Sequence, residues 1–233
     1  LALTVPDSVM NARVQPVQVE SERIGDGVWL IGGGSHHSVA IEFSDYAAVI
    51  EAPLHEERSL AVIGEVNQLI PNKPIRFIVT THHHWDHLGG LRTYVHEGAT
   101  VITHEGNKPY YQEILRAGLW SLEPDRFSLH PPEEWSEGYI FETLSEKYVL
   151  ADATRSVELY NVQGLAHAAG MLIAYIPDEK IVVQADLYFP TAPTPNASAR
   201  TLNRNLRRLN LDVETVVGIH GRPASISQFT EFI

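Results

Sequence analysis

Four residues able to bind a divalent metal crowd into six positions: His82, His84, Asp86 and His87, in the run Thr80-Thr81-His82-His83-His84-Trp85-Asp86-His87-Leu88-Gly89-Gly90. Neutral imidazole and carboxylate are the common protein ligands of zinc and its neighbours. His82 and His84 are two apart, so on an extended backbone their side chains point the same way. A catalytic zinc takes about three protein ligands and keeps a position open for water, so this stretch supplies part of a centre and the rest must come from elsewhere in the chain. The bland alternative is a polar loop with three incidental histidines. With His at 12 of 233 residues, chance would produce this spacing in roughly one chain per thousand. The preceding run, Ile75-Arg76-Phe77-Ile78-Val79, is apolar and reads as a buried strand. The ligands therefore leave on the loop after a strand, where open α/β sheets place their sites.

The same run, with its Leu-Gly-Gly continuation, resembles the signature of the metallo-β-lactamase superfamily. Gly164-Leu165-Ala166-His167, Ala185-Asp186 and Ile219-His220-Gly221 resemble that family's later motifs, in the right order, and the likeness runs from about 28 to 222. It implies a mixed α/β fold, an αβ/βα four-layer sandwich, and metal-assisted hydrolysis. It also implies a ligand allocation that spacing alone does not give. His82, His84 and His167 would hold one ion, Asp86, His87 and His220 the other, and Asp186 both. The cofactors expected are two Zn2+, with Fe, Mn or Co as other divalent choices. Asp at position 186 is the pattern of dinuclear branches such as glyoxalase II, the acyl-homoserine lactonases and ribonuclease Z. His84 stands where the flavo-diiron branch has Glu, which disfavours that branch. The implied reaction is attack of a metal-bridging hydroxide on the carbonyl of an ester, thioester, lactone or β-lactam, with Asp86 orienting the nucleophile as the catalytic residue. Phosphodiester or RNA cleavage on the same metals is one alternative, and a mononuclear iron oxygenase of the persulfide dioxygenase type another. A non-catalytic scaffold would be expected to have lost ligands, and none is missing.

Two positions depart from the family pattern. Glu51 stands where many members carry Asp at the end of the strand before the first helix, and the longer carboxylate can still support a ligand. The lactonases place Tyr three residues after the bridging Asp; here Phe189 holds that place and Tyr188 precedes it. Tyr188, with His36 and His37 on the loop after Gly32-Gly33-Gly34, is a candidate substrate contact. His83 is expected to point away from the metals, Trp85 to pack beneath the loop, and His104 to be an internally satisfied histidine. His55, His96 and His130 read as solvent-facing.

Composition bounds the rest. The chain has 233 residues, 44% apolar and 20% charged, which suits one soluble globular domain over 1–233. There is no cysteine, so disulfides and thiolate ligands are excluded. The net charge of −12 opposes a nucleic-acid partner, whose binders carry basic patches. A small-molecule substrate is the expected partner, with no membrane partner, because no apolar run approaches a span. The chain begins at Leu1, which reads as a processed product. The family likeness is to the catalytic part of longer, often exported bacterial proteins. Compartment and oligomeric state leave no trace in the sequence.

The elements needed to position these residues follow from periodicity and turn residues. Residues 1–16 read as an extended lead-in. Strands are expected at 17–20, 28–31, 39–43 and 47–50, a helix at 55–69, and the motif strand at 75–80. A second strand and helix follow at 99–103 and 105–117. Residues 118–137, with Trp120, Trp135 and three prolines, lack periodicity and read as an insertion able to serve as a lid. Strands then return near 141, at 148–150, 157–160, 171–176 and 181–183. A helix at 198–209 with arginines on its solvated face, a strand at 213–217 and a closing helix at 225–233 complete the chain.

Overall fold

The computed structural model describes residues 6, 16–116, 124–131 and 140–233. The first half of the chain builds one sheet and the second half another. The first sheet runs β1 (Ser21–Gly25), β2 (Val28–Ile31), β3 (Ser38–Glu42), β4 (Ala47–Ile50), β5 (Ile75–Val79), β6 (Thr100–His104) and β7 (Phe141–Leu144), in that spatial order. Its first four strands form an antiparallel meander; β4 to β7 are parallel. Parallel neighbours need crossovers, and these carry α1 (Glu56–Leu69), α2 (Trp85–Leu88), α3 (Leu91–His96) and α4 (Lys108–Arg116). The second sheet has β8 (Lys147–Ala151), β9 (Ser156–Asn161), β10 (Leu172–Ile176), β11 (Ile181–Gln184), β12 (Thr215–Gly218) and β13 (Ala224–Ser225), in consecutive order across the sheet. All its pairs are antiparallel except β11 with β12, whose crossover carries α6 (Ala197–Arg208). The chain ends in α7 (Ile226–Phe232), opened by a Ser225–Gln228 capping box.

Two apolar clusters divide the interior. One joins the two sheets through Val39, Ile41, Ile50, Leu159, Val183 and Val217, and continues to α6 and α7 through Leu202 and Phe229. The other lies on the far face of the first sheet, where Val49, Ile78 and Val101 meet Val62 and Val66 of α1 and Leu91 and Tyr94 of α3. The result is helix, sheet, sheet, helix, the four-layer sandwich expected. β10 and β11 are buried on both faces, which explains their apolar sequence up to the closing Gln184. Each such Val, Leu or Ile contributes about 1.5–3 kcal/mol by burial.

The boundaries differ from the sequence reading at informative places. The first strand begins at Ser21 rather than in 17–20, although Glu20 and Gly32 still exchange backbone hydrogen bonds at 2.7 and 3.4 Å. The helix expected from 105 opens as a 3-10 turn, Glu105–Asn107, capped by His104. α2 and α3 are too short to show a helical period in the sequence. Most of the lead-in and most of the 118–137 insertion, including Trp120 and Trp135, lie outside the described residues. Within the insertion, α5 (Arg126–Leu129) is anchored rather than free-standing. Arg92 donates to both oxygens of Asp125 at 2.6 and 3.2 Å, and its guanidinium lies 4.5 Å from the buried Phe127 ring.

Candidate metal centre

The motif loop works by changing backbone conformation in its middle. β5 ends at Val79, the chain bends at Thr81, and His84 is extended (φ −67°, ψ 140°) just before the chain turns into α2. His82 and His84 therefore project from the segment ahead of that turn, with ring centroids 4.5 Å apart, while Asp86 and His87 project from a helical turn. The Tyr111 hydroxyl donates to the His82 carbonyl at 3.0 Å, and Leu172 N–H donates to the Thr81 carbonyl at 2.8 Å, tying the loop to α4 and β10. The glycine after Leu88 has a steric cause. A Cβ on Gly89 would lie 1.9 Å from the Leu54 carbonyl, so any larger residue would push the loop off its support.

The second half supplies single residues from three separate loops. His167 follows β9, Asp186 follows β11 and His220 follows β12. Asp186 sits at φ 58°, a left-handed conformation that costs a non-glycine residue of order 1–3 kcal/mol. Gln184 holds that turn in place. Its amide oxygen accepts from Leu187 and Tyr188 N–H at 2.9 and 3.1 Å, and its amide nitrogen donates to the Tyr188 carbonyl at 2.8 Å.

These residues converge. His82, His84, His167 and Asp186 each place one ligating atom within 4.8 Å of the others, and so do His36, His87 and His220. Asp186 faces both groups with different oxygens. Its Oδ2 lies 3.1 Å from His167 Nε2 and 3.5 Å from His82 Nε2; its Oδ1 lies 3.0 Å from His220 Nε2 and 3.3 Å from His87 Nε2. Asp86 is at the rim, its side chain 53% exposed, with Oδ2 3.3 Å from His36 Nε2 and 3.9 Å from His87 Nε2.

The donor set fits a cation. His87 Nδ1 is 2.7 Å from Glu51 Oε2, and His220 Nδ1 is 2.8 Å from the Ser35 carbonyl. An N–H on each Nδ1 turns the Nε2 lone pairs toward each other, 3.4 Å apart. Such outer partners are what fix the tautomer of a ligating histidine. His82 Nε2 and Asp186 Oδ1 are buried without an aligned hydrogen bond, the condition expected of atoms that ligate a metal. The protonation balance agrees. Burial pulls the His87 imidazole down, but the close carboxylates of Asp186 and Glu51 outweigh it, and its pKa is pushed up to about 10. The nearby Asp186 carboxylate likewise raises His220 against burial. Asp186 itself resists desolvation because His220, His82 and His87 hold its carboxyl far below the ordinary range. The pocket thus calls for positive charge, which protons or a divalent ion can supply.

Glu51 takes the role of a supporting carboxylate. Fully buried, it accepts from Thr81 N–H at 2.6 Å with one oxygen and binds His87 with the other, and it too has a left-handed backbone (φ 73°).

The candidate substrate contacts separate. The His36 ring joins the ligand cluster, 4.1 Å from the His220 ring centroid. The His37 ring lies instead against Gly32, among Leu30, Gly221 and Pro223, while the backbone N–H of His37 donates to the Ile219 carbonyl at 2.8 Å. Tyr188 is buried with its ring against Phe229 and Phe232 of α7, so it faces the closing helix. Phe189 is the neighbour that meets the cluster, 5.6 Å from the His220 ring. Trp85, expected to pack beneath the loop, is 53% exposed because α2 turns it outward beside Asp86. His83 is not in either ligand group and approaches Tyr110. His104 accepts from Gly106 N–H at 3.0 Å and meets Asn161 Nδ2 at 3.3 Å, a satisfied histidine. The place of His36 in the cluster was missed in the sequence, where the only hint is a histidine directly after a glycine-rich turn.

Known structures resemble this fold. The structure of a metallo-beta-lactamase from Pontibacter korlensis superposes with TM-score 0.70 at 20% identity, covering 91% of this chain and 96% of that one. The DIM-1 metallo-beta-lactamase superposes with TM-score 0.69 at 13% identity, covering 92% and 95%. A curated relative, the 2,4-dinitroanisole O-demethylase subunit alpha of Nocardioides sp. (strain JS1661), is 23% identical over 176 residues, and the chain's match spans about half (48%) of that protein. The family model described as the metallo-beta-lactamase superfamily matches residues 31–220, which begin at the end of β2 and finish at His220, the last of the candidate ligands. With its sandwich fold, its converging histidines and that match, the chain belongs to the metallo-beta-lactamase superfamily.

Proposed function

We propose that this protein is a dinuclear zinc hydrolase acting on a carbonyl compound: an ester, thioester, lactone or β-lactam. The observation that carries the reading is Asp186, whose two oxygens each face a separate histidine group. His82, His84 and His167 would hold one ion, Asp86, His87 and His220 the other, and Asp186 both. Such a pair of ions, when bound, acidifies water and polarises a carbonyl oxygen. The chain's own residues do the rest. Glu51 orients His87, and the Ser35 carbonyl orients His220. Asp86, with burial opposed by His87 and His36 and its pKa lowered on balance, is ionised at neutral pH and placed at the open rim to accept a proton. Trp85 and Phe189 offer aromatic surface to an acyl group, and the net charge of −12 disfavours a polyanionic substrate.

A second reading is favoured by one relative. The Nocardioides protein is named for O-demethylation of 2,4-dinitroanisole. A ring carbon bearing methoxide and activated by nitro groups is electrophilic much as an acyl carbon is, and water attack there gives a phenol and methanol. An assay of purified, metal-loaded protein against a lactone, an activated ester, a β-lactam, an activated aryl ether and structured RNA separates these readings. Turnover of at least one carbonyl substrate with little RNA cleavage is expected. RNA cleavage far more efficient than every carbonyl substrate would overturn the proposal, and turnover of the aryl ether alone would move it to the second reading.

A further inference from the structure

We propose that His36 is a ligand of the second metal, so that this ion is held by His36, His87 and His220 with Asp86 at its edge. The inference rests on the dinuclear reading above. His36 lies outside the four family motifs, on the loop between β2 and β3, 46 positions before the motif begins at His82. Three observations place it in the centre. Its ligating nitrogen lies within 4.8 Å of those of His87 and His220, whereas Asp86 falls outside that group. Its ring sits 5.1 Å from His87 and 4.1 Å from His220 by centroids, edge-on to each, so the three imidazoles surround one small volume. Its Nδ1 lies 2.8 Å from Ser35 Oγ, a partner that can accept a hydrogen bond from Nδ1–H and leave the Nε2 lone pair facing inward.

The loop is also built to hold its place. Surface loops are usually held by few internal bonds, but this one is pinned from three sides. The buried Arg58 guanidinium of α1 donates to the carbonyls of Gly32, Ile31 and His36 at 2.8, 3.0 and 3.1 Å. His37 N–H donates to Ile219, and the Ser35 carbonyl meets His220, so the loop is bonded directly to the segment that carries another ligand. Gly33 permits the close approach. It has φ 93°, and a Cβ there would fall 2.4 Å from the Gln18 carbonyl. Precise placement of His36 is what these bonds achieve, and a ligand needs such placement more than a solvent-facing residue does.

The test is metal titration of the chelator-treated full chain with zinc against a chromophoric competitor, and with cobalt followed by paramagnetically shifted proton NMR. Wild type, His36→Ala, Asp86→Ala, the double variant and His37→Ala are compared. We expect His36→Ala to keep the tighter ion, to weaken the other at least tenfold, and to lose one shifted exchangeable ring N–H signal. The weakening should persist in the Asp86→Ala background, because it does not act through the carboxylate. His37→Ala, on the same loop, should bind both ions normally. Two ions bound with unchanged affinity by His36→Ala would overturn the inference alone, as would a weakening that vanishes once Asp86 is removed. A wild-type protein that takes up only one ion would overturn the inference and the dinuclear reading together.

Discussion

The two halves of the chain reach the centre differently. The first half delivers a local cluster, with four ligand-type residues in one loop after β5, supported from beneath by Glu51 at the end of β4. The second half delivers three isolated residues from the ends of β9, β11 and β12, aligned only because those strands pair in register and the loops are bonded to neighbouring chain. Strain sits in both, at Glu51 and at Asp186, each in a left-handed conformation just past a strand end. Such conformations persist where the surroundings over-determine them. At Glu51 the determinants are side-chain bonds to Thr81 and His87; at Asp186 they are the amide bonds of Gln184 to the following turn. The first half can therefore be read as a preformed cup, and the second as a set of pins whose alignment depends on the whole sandwich.

Substitutions can break that contrast. Asp186→Ala should have the largest effect, since among the described residues its carboxylate is the one with an oxygen toward each group. Affinity for both ions should fall more than a hundredfold by competitive titration, and either ion binding as in wild type would show that the halves do not share this residue. Next come His82→Ala and His220→Ala, one from each half. Each should weaken one ion by at least tenfold and spare the other, as resolved by site occupancy in metal-loaded structures; identical losses would merge the two sites. Glu51→Gln should act more mildly, lowering affinity at the His87 side about 10–100-fold, the usual effect of losing a ligand's supporting partner. If the affinity of the His82 side fell equally, Glu51 would be holding the loop as a whole rather than orienting one ring.

Legibility followed the same divide. The cup was readable from spacing, because extended chain repeats every two residues and ligand types were concentrated in one stretch. The pins were not readable from spacing at all. Their place came from likeness to family motifs, since register between distant strands leaves no local pattern. The four layers were legible in outline, as strands then helices in each half. What escaped depended on tertiary context. α2 and α3 are too short to show a period, and Trp85 is turned outward by the helical turn it begins. Tyr188 and Phe189, adjacent in the turn after Asp186, go to different neighbours, the phenol against α7 and the phenyl near His220. His36 was legible as a residue near the site, not as a member of the cluster.

The central claim, that two divalent ions sit in one shared centre, is tested most directly by elemental analysis of the gently purified protein. The arrangement of Asp186 between two histidine groups predicts close to two ions per chain, mainly zinc. One iron and no zinc per chain, with activity dependent on that iron, would contradict it.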